Sequence, residues 1–280
     1  MAVLVTGGSG LIGTNLINSL SKTEEVICIS RKKPEYDIHY VSGSFDNGED
    51  LRKLDQFPIT AVVHLAAVTG GCSEEEGLAV NVLGLRRLIS YIVEKHECKK
   101  FIIASSIAVV GCLDDDFLPL HFPILEEHPC LAKDAYGLSK YLAEEITKYF
   151  SRIHTDMEFI NLRLGAVSVD GVRPPERMND NLRMPCPIVQ MSRVFVSDVV
   201  RAMEMILAKP VLPGAKVYNI VGPDASCDIP VIDMLHALYG QEAMKQYDLS
   251  YYMLKENVYK PLFSTNKIKE EIGFQSLIKT

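Results

Sequence analysis

Residues 1 to 13, Met-Ala-Val-Leu-Val-Thr-Gly-Gly-Ser-Gly-Leu-Ile-Gly, run a short apolar strand straight into a glycine-rich turn and the start of a helix. Ala2 to Val5 suit a strand buried on both faces of a parallel sheet. Gly7, Gly8, Gly10 and Gly13 permit a turn tight enough to aim backbone N–H groups at a pyrophosphate. The helix that follows, with Leu16, Ile17 and Leu20 on one face, presents the positive end of its dipole to the same anion. The spacing Gly8-x-Gly10-x-x-Gly13 is weak evidence alone. The strand before it and the helix after it supply the context a dinucleotide-binding turn requires.

A second buried strand, Val26 to Ser30, ends about 20 residues beyond the glycine turn, where an acidic residue would hold the ribose hydroxyls of NAD. Here Ser30 is followed by Arg31, Lys32 and Lys33. Cations in place of a carboxylate favour a 2′-phosphate, so NADP is the expected cofactor, with NAD possible.

Further along, His39 to Phe45, Ala61 to Ala67, Phe101 to Ser106, Met157 to Leu164 and Lys216 to Val221 read as strands. Helical patterns alternate with them at 50–56, 74–96, 134–152, 199–207 and 231–239, and Asn266 to Ile272 is a last short helix closed by Gly273. Such alternation is that of an α/β chain. His64, inside an apolar run, reads as a satisfied core histidine. Ser105 and Ser106 mark the carboxyl end of their strand, the side on which open α/β sheets bind ligands. Residues 111–133 read as a loop over the site, and the adjacent Asp114, Asp115 and Asp116 as solvated rather than as a metal set; no metal is expected. In Tyr136-Gly-Leu-Ser-Lys140 the tyrosine and lysine share a helix face. A lysine there favours the phenolate, lowering a pKa that is about 10 in water and making Tyr136 a general acid/base. The same spacing also suits a surface i, i+4 pair.

The formal net charge of −7 argues against nucleic-acid and anionic-membrane partners. Seven scattered cysteines without a C-x-x-C pair read as reduced thiols. With a strand beginning at residue 2 and no apolar run of membrane length, the expectation is a cytoplasmic protein.

Taken together, Thr6-Gly-Gly-Ser-Gly-Leu-Ile-Gly13, His64-Leu-Ala-Ala67, Asn81-Val-Leu-Gly84, Ser105-Ser106, Tyr136-Gly-Leu-Ser-Lys140, Val196-Ser-Asp-Val199 and Tyr218-Asn-Ile220 stand in one order. In that order they resemble the extended short-chain dehydrogenase/reductases, the NAD(P)-dependent epimerase/dehydratase family that includes UDP-galactose 4-epimerase. The resemblance implies a Rossmann-type doubly wound parallel sheet with a small C-terminal substrate-binding part. Residues 1–165 would form the dinucleotide-binding domain. Residues 166–280 would be mainly substrate-binding, with the strand 216–221 returning to the core.

The resemblance further implies that Gly7, Gly10, Leu11, Ile12 and Gly13 hold the pyrophosphate region and that Leu65, Ala66 and Ala67 line the cofactor. Ser106 would hydrogen-bond the reacting oxygen, Tyr136 would be the acid/base, Lys140 would bind the nicotinamide ribose, and Asn81 would lie below the site. Thr69 would meet substrate. Where the family has Gly-Asp-hydrophobic for adenine, Gly43-Ser44-Phe45 leaves the contact to Ser44, Phe45 or Asp46. Ile107 stands where the family's dehydratases continue Thr-Asp-Glu and where GDP-fucose synthase has a cysteine, which speaks against dehydration. Ala166 replaces an asparagine that meets the sugar nucleotide. Arg173, Arg177 and Arg183 gather in a short segment, and guanidinium groups suit phosphate or carboxylate.

The expected activity is hydride transfer on a sugar or nucleotide-sugar hydroxyl or ketone, by an epimerase or an oxidoreductase. The alternatives are a dehydrogenase or reductase of a small sugar acid or ketone, as in the uronate dehydrogenases, and a non-catalytic NADP sensor on the same fold. A homodimer is expected from the family's habit of packing two helices of each subunit into a four-helix bundle, with the patterns at 78–92 and 134–152 as candidates.

Overall fold

A computed structural model of the chain describes residues 1–171 and 185–278. Its strands are β1 (Ala2–Thr6), β2 (Glu25–Ser30), β3 (His39–Ser42), β4 (Ala61–His64), β5 (Lys100–Ser106), β6 (Glu158–Leu164), β7 (Ala166–Ser168), β8 (Arg193–Phe195) and β9 (Gly214–Ile220). The early helices are α1 (Leu11–Leu20), α2 (Gly48–Arg52), α3 (Glu74–Glu76), α4 (Leu85–Lys95) and α5 (Ala135–Ile153). The later ones are α6 (Pro187–Gln190), α7 (Val196–Ala208), α8 (Val231–Tyr239), α9 (Gln241–Met244), α10 (Ser250–Met253) and α11 (Asn266–Ile272).

Seven strands form one Rossmann-like sheet in the order β3-β2-β1-β4-β5-β6-β9. The chain leaves β1 toward one edge and then crosses back to β4 on the other side of β1. That reversal is the switch point at which such sheets take ligands, beyond the carboxyl ends of the strands. The β1–β4 register sets Thr6 opposite His64 there. The apolar runs of β1, β2, β4 and β5 are buried throughout, apart from Glu25, as two-sided burial in a parallel sheet demands.

Residues 74–95 form a continuous helical run whose middle, Gly77–Gly84, is a π-helix. A capping box between Ser73 and Glu76 starts it. Both glycines answer to close packing. A Cβ on Gly77 would lie 3.3 Å from the Ala135 carbonyl and the Ser139 side chain, and one on Gly84 would lie 3.0 Å from Asp46 and Phe45.

The contacts divide the chain into two units interleaved in sequence: Met1–Ser105, Ala135–Leu162 and Val200–Val217, and Ser106–Asp134, Arg163–Val199 and Tyr218–Thr280. The first has a core of Leu4, Ile27, Val62, Phe101 and Phe159, closed by Leu85, Leu88, Ile89 and Ile92 of α4. The second has its own, with Ile107, Ile124, Met191, Val221, Met234, Tyr252 and Phe263.

In the second unit, residues 111–133 contain no named helix or strand, as expected, and side chains satisfy their backbone. Arg163 donates to the Glu126 carbonyl at 3.0 Å, Glu126 accepts the Asn219 N–H at 3.0 Å, and His128 Nε2 accepts the Leu120 N–H at 3.0 Å. The alternation-based reading missed the small β7–β8 pair, because each strand has three residues. The same pair explains Gly165: a Cβ there would lie 2.1 Å from the Ser192 carbonyl oxygen. Asp114 and Asp115 are engaged rather than merely solvated. Asp114 pairs with Lys133, and Asp115 accepts the Cys186 N–H at 2.6 Å.

Candidate active site

The glycine turn is shaped by contacts that only some of its glycines make. Gly7 has φ +72°, and a Cβ there would lie 2.7 Å from the Ala66 nitrogen; one on Gly13 would lie 2.3 Å from the Gly7 carbonyl oxygen. These two glycines let α1 and the segment after β4 close on the turn. Gly10 is different: its φ is −83°, and an added Cβ would meet only the Gly7 oxygen, at 3.4 Å. Among the described residues no side chain caps α1, and Gly10 and Leu11 are exposed. The turn therefore offers an uncapped helix N-terminus with open space above it. Those features fit a nicotinamide dinucleotide's pyrophosphate.

Thr6, which the sequence reading passed over, ties the switch point together. Its hydroxyl accepts the Ala66 N–H at 3.2 Å and shares a 2.8 Å hydrogen bond with His64 Nδ1. His64 is buried, with Phe45 edge-on at 4.7 Å, and burial, helped by Lys140, pushes its pKa down to about 3. It is a neutral core histidine. Leu65, Ala66 and Ala67 are half-buried in the segment beyond β4, and Thr69 is exposed.

The structure brings Tyr136 and Lys140 of α5 together with Asn81 of the π-helix, which bonds Ser139 of α5. Lys140 is buried; its Nζ donates to the Ala104 carbonyl at 2.7 Å and lies 5.7 Å from the centroid of the half-buried Tyr136 ring. Burial pushes the Lys140 pKa down to about 8, against the opposing pull of the Glu144 carboxylate. Asn81, carried inward by the π-helix, spends its whole amide on backbone and helix. Its NH2 donates to the Val68 carbonyl and to Ser139 Oγ, and its Oδ1 accepts the Val68 N–H, each at 2.9 Å. Ser139 in turn donates to the Tyr136 carbonyl at 2.8 Å. Asn81 thus fixes the first turn of α5, and π-segments of this kind recur at functional sites.

Ser106 closes β5 and opens the second unit; its hydroxyl accepts the Ala108 N–H at 3.1 Å. Beyond the end of β2, the Ser30 hydroxyl donates to the Lys32 carbonyl at 2.6 Å, and Arg31, Lys32 and Lys33 are exposed. Ser44 donates from its hydroxyl to Asp46 and from its N–H to Asp50 at 2.9 Å. Phe45 is buried against His64. Arg173, Arg177 and Arg183 lie outside the described residues. A further buried group, Glu144, escaped the sequence reading, and its partner is Ser105, which that reading places only at the end of its strand. Ser105 Oγ donates to Glu144 Oε1 at 2.7 Å, and the available signal was the recurrence of polar residues at 136, 140 and 144 along one face of α5. Among the described residues no group of three or more His, Cys, Asp or Glu is placed to hold a metal ion, and no helix is long and apolar enough to cross a membrane.

Residues 3–221 match the model of the NAD dependent epimerase/dehydratase family, and the chain belongs to that family. Among curated relatives it is 28% identical over 221 residues to UDP-glucose 4-epimerase 4 of Oryza sativa subsp. japonica, covering 70% of this chain and 56% of that protein. The chain spans about half the length of the curated relatives it matches. Its fold is shared by an NAD-bound short-chain dehydrogenase/reductase superfamily protein of Agrobacterium tumefaciens, with TM-score 0.71 and 19% identity over 100% of this chain and 93% of that one. It is shared too by MoeE5 in complex with UDP-glucuronic acid and NAD, with TM-score 0.69 and 20% identity over 99% and 94%.

Proposed function

We propose that the protein is a nicotinamide-dependent enzyme that interconverts a hydroxyl and a ketone on a nucleotide sugar, acting as an epimerase. The observation that carries this reading is the buried Lys140 ammonium, anchored to Ala104 and held 5.7 Å from the Tyr136 ring. A cation so placed stabilises the phenolate, which lets Tyr136 take the proton from a substrate hydroxyl and later return it. Ser106 accepts the Ala108 N–H and keeps its own proton to donate to the reacting oxygen. Gly7, Gly10 and Gly13 with the N-terminus of α1 would hold the pyrophosphate, and Ala66 and Ala67 would lie along the cofactor. The nicotinamide ring, when bound, accepts and gives back the hydride. Arg31, beyond the end of β2, would meet a 2′-phosphate and favour NADP, with NAD accepted.

The substrate class rests on the rice relative's name and on the UDP-glucuronic acid in MoeE5. A smaller acidic sugar, oxidised or reduced, is the second reading. It is favoured by the short span of 34 residues that separates Arg163 from Asp198 and by Ala166, which begins β7 and has no side chain to hydrogen-bond a nucleotide sugar.

The test is a Tyr136→Phe variant assayed on UDP-glucose and on uronates with both cofactors. Loss of acid/base catalysis lowers turnover by roughly 10²- to 10⁴-fold, with cofactor affinity nearly unchanged. Turnover that survives the substitution refutes the assignment. Nicotinamide absorbance retained through purification supports the epimerase over a reductase.

A further inference from the structure

We propose that Glu144 is a positioning residue for this site: one turn beyond Lys140 on α5, its carboxylate is fastened by Ser105 to the end of β5 and keeps the Lys140 ammonium charged beside Tyr136. This rests on the reading of Tyr136 and Lys140 as the acid/base pair.

Glu144 and Lys140 are both buried, Glu144 with 0% of its surface exposed. A helix places residues four apart on one face, with Cβ atoms about 5–6 Å apart. Their anchors are consecutive residues of β5: Lys140 donates to the Ala104 carbonyl at 2.7 Å, and Glu144 accepts the Ser105 hydroxyl at 2.7 Å. The next residue is Ser106. The end of β5 is therefore bound to both charged groups of α5 immediately before the serine proposed to orient the substrate.

A buried ammonium without a counter-charge gives up its proton. The groups around Lys140 decide whether it does. Among the described residues, His64 of β4 is buried and neutral, β5 supplies the Ala104 carbonyl dipole, and on α5 Tyr136 and Glu144 are titratable neighbours. Glu144 supplies the negative charge that opposes the burial of Lys140. Removing that charge lowers the protonated share of the amine at neutral pH and weakens the cation that stabilises the phenolate.

Glu144→Gln keeps an oxygen for Ser105 and removes the charge. In the full chain, the Lys140 side chain is followed by carbon-13 NMR of labelled lysine, its signal identified by its absence in Lys140→Arg. Its titration midpoint is expected to fall by about one pH unit or more in Glu144→Gln. The alkaline limb of the kcat profile is expected to move down with it, while KM changes little. An unmoved midpoint overturns the proposal. Lys140→Met provides an independent check through the infrared carbonyl band of a neutral carboxyl. Glu144, left without its counter-charge, is expected to take up a proton in that variant, and a carboxylate that stays ionised overturns the proposal equally, whether or not Glu144→Gln folds. Should Tyr136→Phe retain turnover, the acid/base reading fails on its own, and the Lys140 titration still decides what Glu144 does.

Discussion

Replacing Gly10 by alanine separates the needs of the fold from those of the ligand. The residue has φ −83° and ψ 170°, which alanine adopts without strain, and the new Cβ meets only the Gly7 oxygen at 3.4 Å, an ordinary contact. Alanine is a poorer N-cap than glycine by about 0.5–1 kcal/mol, and the loss of unfolded-state freedom returns roughly 0.4–1 kcal/mol. The apo protein should therefore melt within about 2 °C of the wild type. The methyl group, however, occupies the space above the N-terminus of α1. Losing one charge-assisted hydrogen bond to a phosphate costs about 1.5–3 kcal/mol, a roughly 10- to 150-fold weaker Kd. Gly13→Ala is the contrast, since its Cβ would lie 2.3 Å from the Gly7 oxygen. Overpacking of that kind costs about 1–3 kcal/mol and should lower Tm even without cofactor. Scanning calorimetry of the apo proteins, with NAD and NADP titrations by calorimetry, measures both quantities. A Gly10→Ala protein that binds both dinucleotides as tightly as the wild type would falsify the cradle.

Arg31→Ala should weaken NADP at least about tenfold and NAD far less, because a charge-assisted bond to the 2′-phosphate is the interaction removed; equal losses for the two dinucleotides in a binding titration rule that role out. A homodimer should appear in sedimentation at micromolar concentration. The apolar residues of α4 are spent on the first unit's core, which leaves Leu83, Tyr149 and Ile153, between 49% and 55% exposed, as the surface to test by substitution with glutamate. A wild-type monomer at that concentration excludes the dimer. In a thermal-shift screen with cofactor present, UDP-sugars or uronates should raise Tm; a rise with neutral ketones or steroids alone removes the carbohydrate reading.

The Rossmann-like sheet was readable because its signals are local. A strand, a glycine turn and a helix are contiguous, and Asn266–Ile272 with Gly273 at φ +80° falls where the apolar spacing and the glycine stop predict it. The helical run of 74–95 was readable too, yet its π-segment was not. Its first residue, Gly77, closes on Ala135 and Ser139, which lie 58 and 62 residues further along the chain, and periodicity has no term for such contacts. The same limit hid Thr6 and Glu144. Each looks like an ordinary strand end or helix position until the strand order sets Thr6 beside His64 and α5 sets Glu144 against Ser105. Gly43-Ser44-Phe45 is a mixed case. The departure from an aspartate is visible in the sequence, but only the structure shows Ser44 already donating to Asp46 and Asp50, and Phe45 turned into the core.

His64 makes the first unit's stability depend on acid in a direction that can be worked out. Its folded pKa, about 3, lies below the 6.5 of an unperturbed histidine. The unfolded chain therefore binds a proton that the folded chain refuses, and stability is present above pH 6.5 and is lost as pH falls toward 3. A depression of that size corresponds to a loss of about 5 kcal/mol once both limits are passed, of which about 2 kcal/mol falls between pH 7 and pH 5. Lys140, with its pKa near 8, is protonated in both states across that interval and adds almost nothing to the slope. Carboxylates also contribute, and Glu126 does so with the opposite sign: its pKa is raised by burial, so the folded chain takes up that proton first and the loss on acidification is partly offset. The informative quantity is therefore the difference between the wild type and His64→Gln, which keeps a hydrogen-bonding group for Thr6 and has no proton to gain. Urea unfolding at the two pH values should show the wild type losing about 2 kcal/mol more than the variant. Equal losses mean that His64 takes up its proton without leaving its place beside Thr6, and the neutral core histidine is then the wrong description.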